Sequence, residues 1–191
     1  AVGSTWRMKL PKYYEFKVTF RNLKEVDTYR VFKVDNITSL ANFGISIVLG
    51  FNGDCSHLFQ FRSNDQSYTI YNDDFTGRSL SAFHHNVESL NEKSKFYYDF
   101  GDSWEFDIEL LKVYDHSGDF VPPHVIEGKG LGFIEDIGGT TGLLRAYKKA
   151  PKKFEKINIK NINDTIKMGA EVIEKEFYKS SGYFDDLSDS N

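Results

Sequence analysis

Phe96-Tyr-Tyr-Asp-Phe-Gly-Asp-Ser-Trp-Glu-Phe-Asp-Ile-Glu-Leu-Leu-Lys-Val113 is the stretch whose reading decides the fold. Two runs of alternating character, Phe96 to Phe100 and Trp104 to Val113, flank the turn-forming residues Gly101-Asp102-Ser103. A period of two places Trp104, Phe106, Ile108 and Leu110 on one face and Glu105, Asp107 and Glu109 on the other. The stretch predicts a β-hairpin with one buried and one wet face, as antiparallel sheets have.

Working outward, Tyr14 to Phe20 and Tyr29 to Val34 alternate in the same way and predict an opening antiparallel pair. The period then changes. Ile37, Leu40, Phe43 or Gly44, Ile47 and Phe51 recur at three and four residues, which predicts a helix over about 38–49, with Thr38 as N-cap and Gly50 as stop. His57 to Arg62 and Tyr68 to Tyr71 read as two short strands joined by Ser63-Asn64-Asp65-Gln66. Leu80, Phe83, Val87 and Leu90 return to helical spacing. Pro122-Pro123 and five glycines between Gly128 and Gly139 predict a long ordered loop, after which Thr140 to Ala150 opens a helix. Ile166, Ala170, Ile173 and Phe177 define a C-terminal amphipathic helix, with Asp164 as a candidate N-cap and Glu171/Lys175 as an i,i+4 pair. The order of elements, with no regular βα alternation, predicts an α+β fold with a mixed or mainly antiparallel sheet, packed helices and a C-terminal helix.

Composition bounds the function. The chain has 191 residues, 24 Lys+Arg against 28 Asp+Glu, and 40% hydrophobic content, which is ordinary for a soluble globular protein. The single cysteine, Cys55, excludes an internal disulfide framework and a Cys-based zinc finger, and points to a reducing, cytoplasmic setting. The longest apolar stretch, Phe43 to Phe51, is far shorter than the roughly 20 residues a membrane span needs, and no secretory pattern is present. We expect an N-terminal segment over 1–12, in which Met8 is a candidate native start preceded by an expression remnant. One α+β domain over 13–180 and an acidic tail over 181–191 complete the expectation.

Three segments together carry a family resemblance: Leu49-Gly-Phe-Asn-Gly-Asp-Cys-Ser-His-Leu-Phe-Gln-Phe61, the Phe96–Leu110 hairpin, and Glu127-Gly-Lys-Gly-Leu-Gly-Phe-Ile-Glu-Asp-Ile-Gly-Gly139. In order and spacing, with Tyr29-Arg30 near the start of the second strand, residues 13–145 resemble the family named after plasmid pRiA4b ORF-3. The resemblance implies a roll-like α+β domain of bacteria and archaea, associated with plasmids and mobile elements, and no particular reaction. The chain departs from the family pattern at Phe106, where relatives often have histidine, and in lacking the cysteines that often flank Glu135-Asp136-Gly138-Gly139. Both departures weaken a metal or thiol role inferred from the family alone.

Among residues with chemistry to offer, Asp99, Asp102, Glu105, Asp107 and Glu109 stand within eleven residues with no basic residue between Asp99 and Leu111. Alternation accounts for the last three as the wet face of a strand. Asp99 and Asp102 bracket the turn, where carboxylates accept backbone N–H bonds. If the glycine loop folds over that turn, Asp99, Asp102, Glu135 and Asp136 converge, and such a cluster requires shared protons or a cation such as Mg²⁺ or Mn²⁺. Gly128, Gly130, Gly132 and Gly138-Gly139 offer backbone nests for an anion, although neither a P-loop nor a dinucleotide fingerprint is present. Cys55 and His57 are spaced to share a strand face as a thiolate–imidazole pair, and a free thiol in a turn is the simpler reading. No serine nucleophile elbow or zinc-protease motif occurs. Arg145 to Lys160 holds seven Lys/Arg against Glu155 alone. Lys148, Lys149, Lys152, Lys153 and Lys156, with Tyr147 and Phe154 interleaved, are the candidate nucleic-acid contacts.

These readings lead to a binding or interaction module, leaning non-enzymatic, with a protein or small-molecule ligand, no membrane partner and no required cofactor. Its expected cleft is framed by the Tyr-Asp-Phe-Gly-Asp-Ser-Trp hairpin and the Glu-Asp-Ile-Gly-Gly loop and lined by Tyr98, Asp99, Asp102, Trp104, Glu135 and Asp136. The alternative is a divalent-metal-dependent or nucleic-acid-processing accessory protein linked to mobile DNA, with Asp99, Asp102, Glu135 and Asp136 as metal ligands.

Overall fold

A computed structural model describes residues 10–72 and 77–183. The expectations for the N-terminal residues around Met8 and for the acidic tail beyond Tyr183 lie outside the described residues. Eight strands, Lys12–Phe20 (β1), Tyr29–Asp35 (β2), Phe59–Ser63 (β3), Gln66–Thr69 (β4), Ser79–Ser81 (β5), Lys93–Tyr98 (β6), Trp104–Asp115 (β7) and His124–Lys129 (β8), form one sheet. Its order is β5-β4-β3-β6-β7-β1-β2-β8, and every pair is antiparallel except β4 with β5. Helices span Leu40–Gly50 (α1), Gly139–Lys149 (α2), Pro151–Phe154 (α3) and Ile159–Ser180 (α4). The mainly antiparallel α+β architecture with a C-terminal helix is the one expected from sequence.

The central helix α1 is buried on nearly every side, lying between the sheet and α4. Its apolar sequence leaves no wet face, which suits a core helix rather than an amphipathic one. Gly44 permits that position, because a Cβ there would lie 2.2 Å from the Phe59 ring of β3. The sheet face beneath is paved with aromatics. Phe16, Phe20, Phe32, Phe96, Trp104 and Phe106 are buried, as the alternation of the hairpin and the opening pair predicted, and Phe59 and Phe61 of β3 join them. Ring centroids 4.9 Å apart for Phe61/Phe96 and 5.1 Å for Phe20/Phe106 are within the range of favourable tilted pairs.

Four local expectations are corrected. The cap of α1 is Ser39, whose hydroxyl accepts from Asn42 N at 3.0 Å, rather than Thr38. Residues 80–90 are not a helix despite their spacing; they form β5 and a single 3₁₀ turn at Val87–Ser89. Their carbonyls are engaged elsewhere. Ala82 O and His85 O accept from Ala41 N and Leu40 N, so this segment satisfies the open donors at the start of α1. The proline- and glycine-rich stretch contains the edge strand β8, held to β2, where only a loop was expected. Finally, α4 starts at Ile159, capped by Asn158, and Asp164 instead pairs with Lys160 at 2.7 Å. Glu171 and Lys175 do pair, at 3.1 Å.

Candidate functional site

Three loops meet beyond the ends of β3, β6 and β7: residues 51–58, the hairpin turn 99–103, and the glycine loop 130–138. Asp99 builds the turn. Its Oδ1 accepts from Gly101 N and Asp102 N at 3.0 and 3.3 Å, and its backbone takes the left-handed region at φ 56°. That leaves Oδ2 directed at His57 Nε2, 3.5 Å away. The glycine loop folds over this turn, as the convergence hypothesis requires. Phe133 N donates to Phe51 O, the Phe133 ring stacks on Trp104 at 5.4 Å, and Gly138 N donates to Asp102 Oδ2 at 3.2 Å.

Glu135 is thereby carried between the other two loops. Its Oε1 accepts from Tyr98 OH at 2.7 Å and from Asp54 N at 2.9 Å. Its Oε2 is buried without a hydrogen-bond partner and lies 4.0 Å from His57 Nε2. Asp136 Oδ1 reaches the same imidazole nitrogen at 2.9 Å. His57 is fixed from behind, its backbone N–H donating to Tyr98 OH at 3.3 Å. Donor atoms of His57, Asp99 and Glu135 all lie within 4.8 Å of one another. The Asp99 and Glu135 side chains are largely buried, whereas His57 and Asp136 are 32% and 74% exposed, so the cluster opens to solvent on one side.

The electrostatics follow from this placement. Burial pushes the Glu135 carboxyl above its ordinary range, and the Asp54 N–H and Tyr98 hydroxyl offset only part of the shift. Burial and the bond to Glu135 likewise raise the Tyr98 phenol. Around His57, burial disfavours the charged ring, but the Asp136 bond and the charges of Asp99, Asp136 and Glu135 outweigh it and hold its pKa above the usual value. Backbone strain gathers here as well. Asn52, Cys55, Asp99, Ser103 and Asp136 all carry positive φ angles, and among the described non-glycine residues only Asn64 does so elsewhere. Such conformations persist where surrounding structure over-determines them, as at binding sites.

The expected site residues divide accordingly. Asp99, Glu135 and Asp136 come together, and the Tyr98 hydroxyl supports them from within. Asp102 does not join; its carboxylate latches the turn to the glycine loop. Trp104 is fully buried in the core and lines no cleft. Glu105, Asp107 and Glu109 stand on the outer face of β7, and Asp107 is met by Arg21 and by Lys95 of β6. The residue that sequence reasoning set aside is His57. Its spacing suggested partnership with Cys55, yet Cys55 is buried and burial raises its thiol pKa well above the ordinary value. Lys148, Lys149, Lys152, Lys153 and Lys156 are all exposed, and none of them joins the His57–Asp99–Glu135 cluster. Tyr147 and Phe154 pack edge-on against each other at 5.8 Å rather than standing free between them. Among the described residues no helix is long and apolar enough to cross a membrane.

Comparisons with known proteins agree with this architecture. The chain is 30% identical over 92 residues to the uncharacterized protein y4hQ of Sinorhizobium fredii (strain NBRC 101917 / NGR234), covering 46% of this chain and 47% of the relative. It thus spans about half the length of that curated relative. Its fold is similar to the crystal structure of a protein of unknown function, MM3350, from Methanosarcina mazei Go1, with a TM-score of 0.69 and 19% identity, covering 80% of this chain and 97% of that one. The family described as plasmid pRiA4b ORF-3-like protein matches residues 12–167, a span that includes all three site loops, and the chain belongs to that family.

Proposed function

We propose that this protein is a binding module whose recognition centre is a divalent cation held where the hairpin turn meets the glycine loop. One observation carries the reading: Glu135 Oε2 is buried beside His57 and Asp99 with no donor to satisfy it. A carboxylate oxygen removed from water and left unpaired costs several kcal/mol on the order of magnitude, and a cation supplies the missing partner. His57 Nε2, Asp99 Oδ2 and Glu135 Oε2 would be the ligands, an arrangement of one nitrogen and two oxygens with solvent-side positions left for an oxygen-donor ligand. An imidazole among carboxylates suits Mn²⁺, Fe²⁺ or Zn²⁺ better than Mg²⁺, which prefers oxygen and retained water. Asp136 must release the imidazole nitrogen on binding, and its exposed carboxylate is then free to accept a proton or hydrogen bond from whatever fills the open positions.

The test is thermal unfolding and calorimetric titration with Mn²⁺, Zn²⁺ and Mg²⁺. At about 100 times its dissociation constant an ion that binds only the native state stabilises by about 2.7 kcal/mol, a rise of about 5–10 °C at this size. Glu135→Gln keeps the acceptor for Tyr98 and Asp54 and loses the ligand oxygen, so it should abolish that rise while leaving the metal-free protein as stable or slightly more so. No shift with Mn²⁺ or Zn²⁺, or an undiminished shift in Glu135→Gln, refutes the proposal.

A further inference from the structure

Beside the cation site, against Asn52 and Gly53 of loop 51–58 and Leu131 of the glycine loop, α2, α3 and the start of α4 form a compact elbow, and we infer that its basic ridge and the adjoining groove bind single-stranded nucleic acid. The elbow is rigidly joined. Phe154 O accepts from Leu131 N at 2.8 Å, the Tyr147 and Phe154 rings pack together, and Pro151 starts α3 at a position that needs no N–H. Lys148, Lys149, Lys152, Lys153 and Lys156 therefore project from one small region, and all five are exposed.

Those cations are uncompensated. Among the described residues none of the five has a carboxylate within 4.0 Å, and what sets them apart from the other unpaired lysines is their concentration within nine positions. Residues 145–160 carry a formal charge of +6 on a chain whose net charge is −4. A concentration of like charge against the prevailing sign is the footprint of a phosphate-backbone partner. Two of these lysines, Lys148 and Lys149, also sit favourably at the C-terminal end of the α2 dipole. Lys152 and Lys153 stand likewise in the last turn of the single-turn α3, which leaves Lys156 without a local role.

A groove of about 840 Å³ adjoins the ridge, with Lys156, Asn158, Asn161, Thr165 and Asn52 in its wall and Glu155 as the one acid. The Asn158 Oδ1 caps α4 by accepting from Asn161 N at 3.0 Å, while its amide N–H groups and the side-chain amide of Asn161 have no partner among the described residues. Amides present both a donor and an acceptor, which matches the edges of unpaired bases. A duplex would keep those edges engaged and offer the ridge its phosphates alone. The ring pair Tyr147/Phe154 is packed inward, so base stacking contributes little and binding is governed by charge.

The experiment is fluorescence anisotropy of a labelled single strand and of the same sequence as duplex, in EDTA so that the cation site plays no part. With about four to five phosphates neutralised, affinity for the single strand should fall about 100-fold between about 50 and 200 mM salt. Lys152→Glu/Lys153→Glu should reduce that fall to about 20-fold or less and weaken binding at low salt. Asn161→Ala should weaken single-strand binding equally at both salts, and Lys167→Glu, on an exposed part of α4 outside the ridge, should change little. The inference is overturned by no binding at the lower salt, by a salt dependence unchanged in the double variant, or by a duplex bound as tightly as the single strand with Asn161→Ala silent.

Discussion

Replacing Arg30 by Met should be among the most damaging single changes outside the aromatic core, and the structure gives the size of the effect. Arg30 is fully buried, yet among the described residues no carboxylate lies against it. Its guanidinium instead donates to four backbone carbonyls: Gly50 at 2.7 Å, Tyr29 and Lys129 at 2.9 Å, and Leu131 at 3.1 Å. The Phe51 ring lies 4.7 Å from its central carbon. Burial alone lowers its pKa to about 10, and the carbonyls and the ring face are what hold the charge there. Methionine fills much of the volume but leaves the Gly50, Tyr29 and Lys129 carbonyls without the guanidinium donor, whereas Leu131 O keeps the Asn52 side-chain amide. At about 1 kcal/mol for each of these three, the low end for buried unsatisfied groups, the loss is about 3 kcal/mol, in line with other broken buried charge networks. For a chain of this size that is a fall of about 6–12 °C in Tm. Arg30→Lys keeps the charge but not the planar fork, and should recover less than half of the loss. Because Gly50 and Leu131 lead into the two loops that carry His57 and Glu135, cation affinity should fall together with stability. Denaturant unfolding of the three proteins measures this directly. A Met variant within about 1 kcal/mol of the parent would refute the view that this fork ties the loops together.

Further expectations concern the site itself. Gly53→Ala should cost about 1–3 kcal/mol and abolish cation-induced stabilisation, because the added Cβ would lie 2.5 Å from Val48, 2.6 Å from Phe133 and 2.9 Å from Glu135 Oε1; a variant that still gains stability with Mn²⁺ would contradict this placement of Glu135. Metal-free protein should lose stability as pH rises from about 6 to 8, since the raised His57 pKa contributes in full below the unfolded value of about 6.5 and is lost on passing its folded value. Glu135, also raised, acts in the same direction, favouring the fold as pH falls through its own folded pKa. Saturating Mn²⁺ should reverse the trend, because the ion needs His57 neutral; a Tm that rises with pH in EDTA would count against the assignment. Cys55 should react with a thiol reagent only on unfolding, and rapid labelling of the native protein would show that loop 51–58 opens.

How much of this was legible beforehand depended on whether the signal was local. Alternation and turn chemistry exposed β1, β2, β6 and β7, and a three-to-four period exposed α1, because in each case the buried face is written into a few consecutive side chains. The same logic misread residues 80–90. Their helical spacing is real, but the carbonyls of Ala82 and His85 serve α1, a partner about forty residues away that no local pattern announces. Strand β8 was hidden for the opposite reason: glycines and an adjoining proline pair carry little strand signal, and its pairing with β2 supplies what propensity does not.

The candidate site divides in the same way. Asp99 was recognisable as a turn carboxylate from Asp-Phe-Gly-Asp-Ser, and the Glu135-Asp136 pair from its place on the glycine loop. His57 was not, because what distinguishes it is contact with Asp136, 79 positions along the chain. Nor did anything in the sequence separate Asp102, which latches two loops, from Asp99, whose free oxygen faces the imidazole. Sequence by itself determined the strands other than β5 and β8, the buried helix, the aromatic core and the family, since these rest on periodicity and on strings of adjacent residues. The order of strands in the sheet, the closure of three loops on one point and the isolation of Glu135 Oε2 were decided only by the tertiary structure. They are long-range contacts, set by how the whole chain buries its aromatic face rather than by any preference of the residues that end up touching.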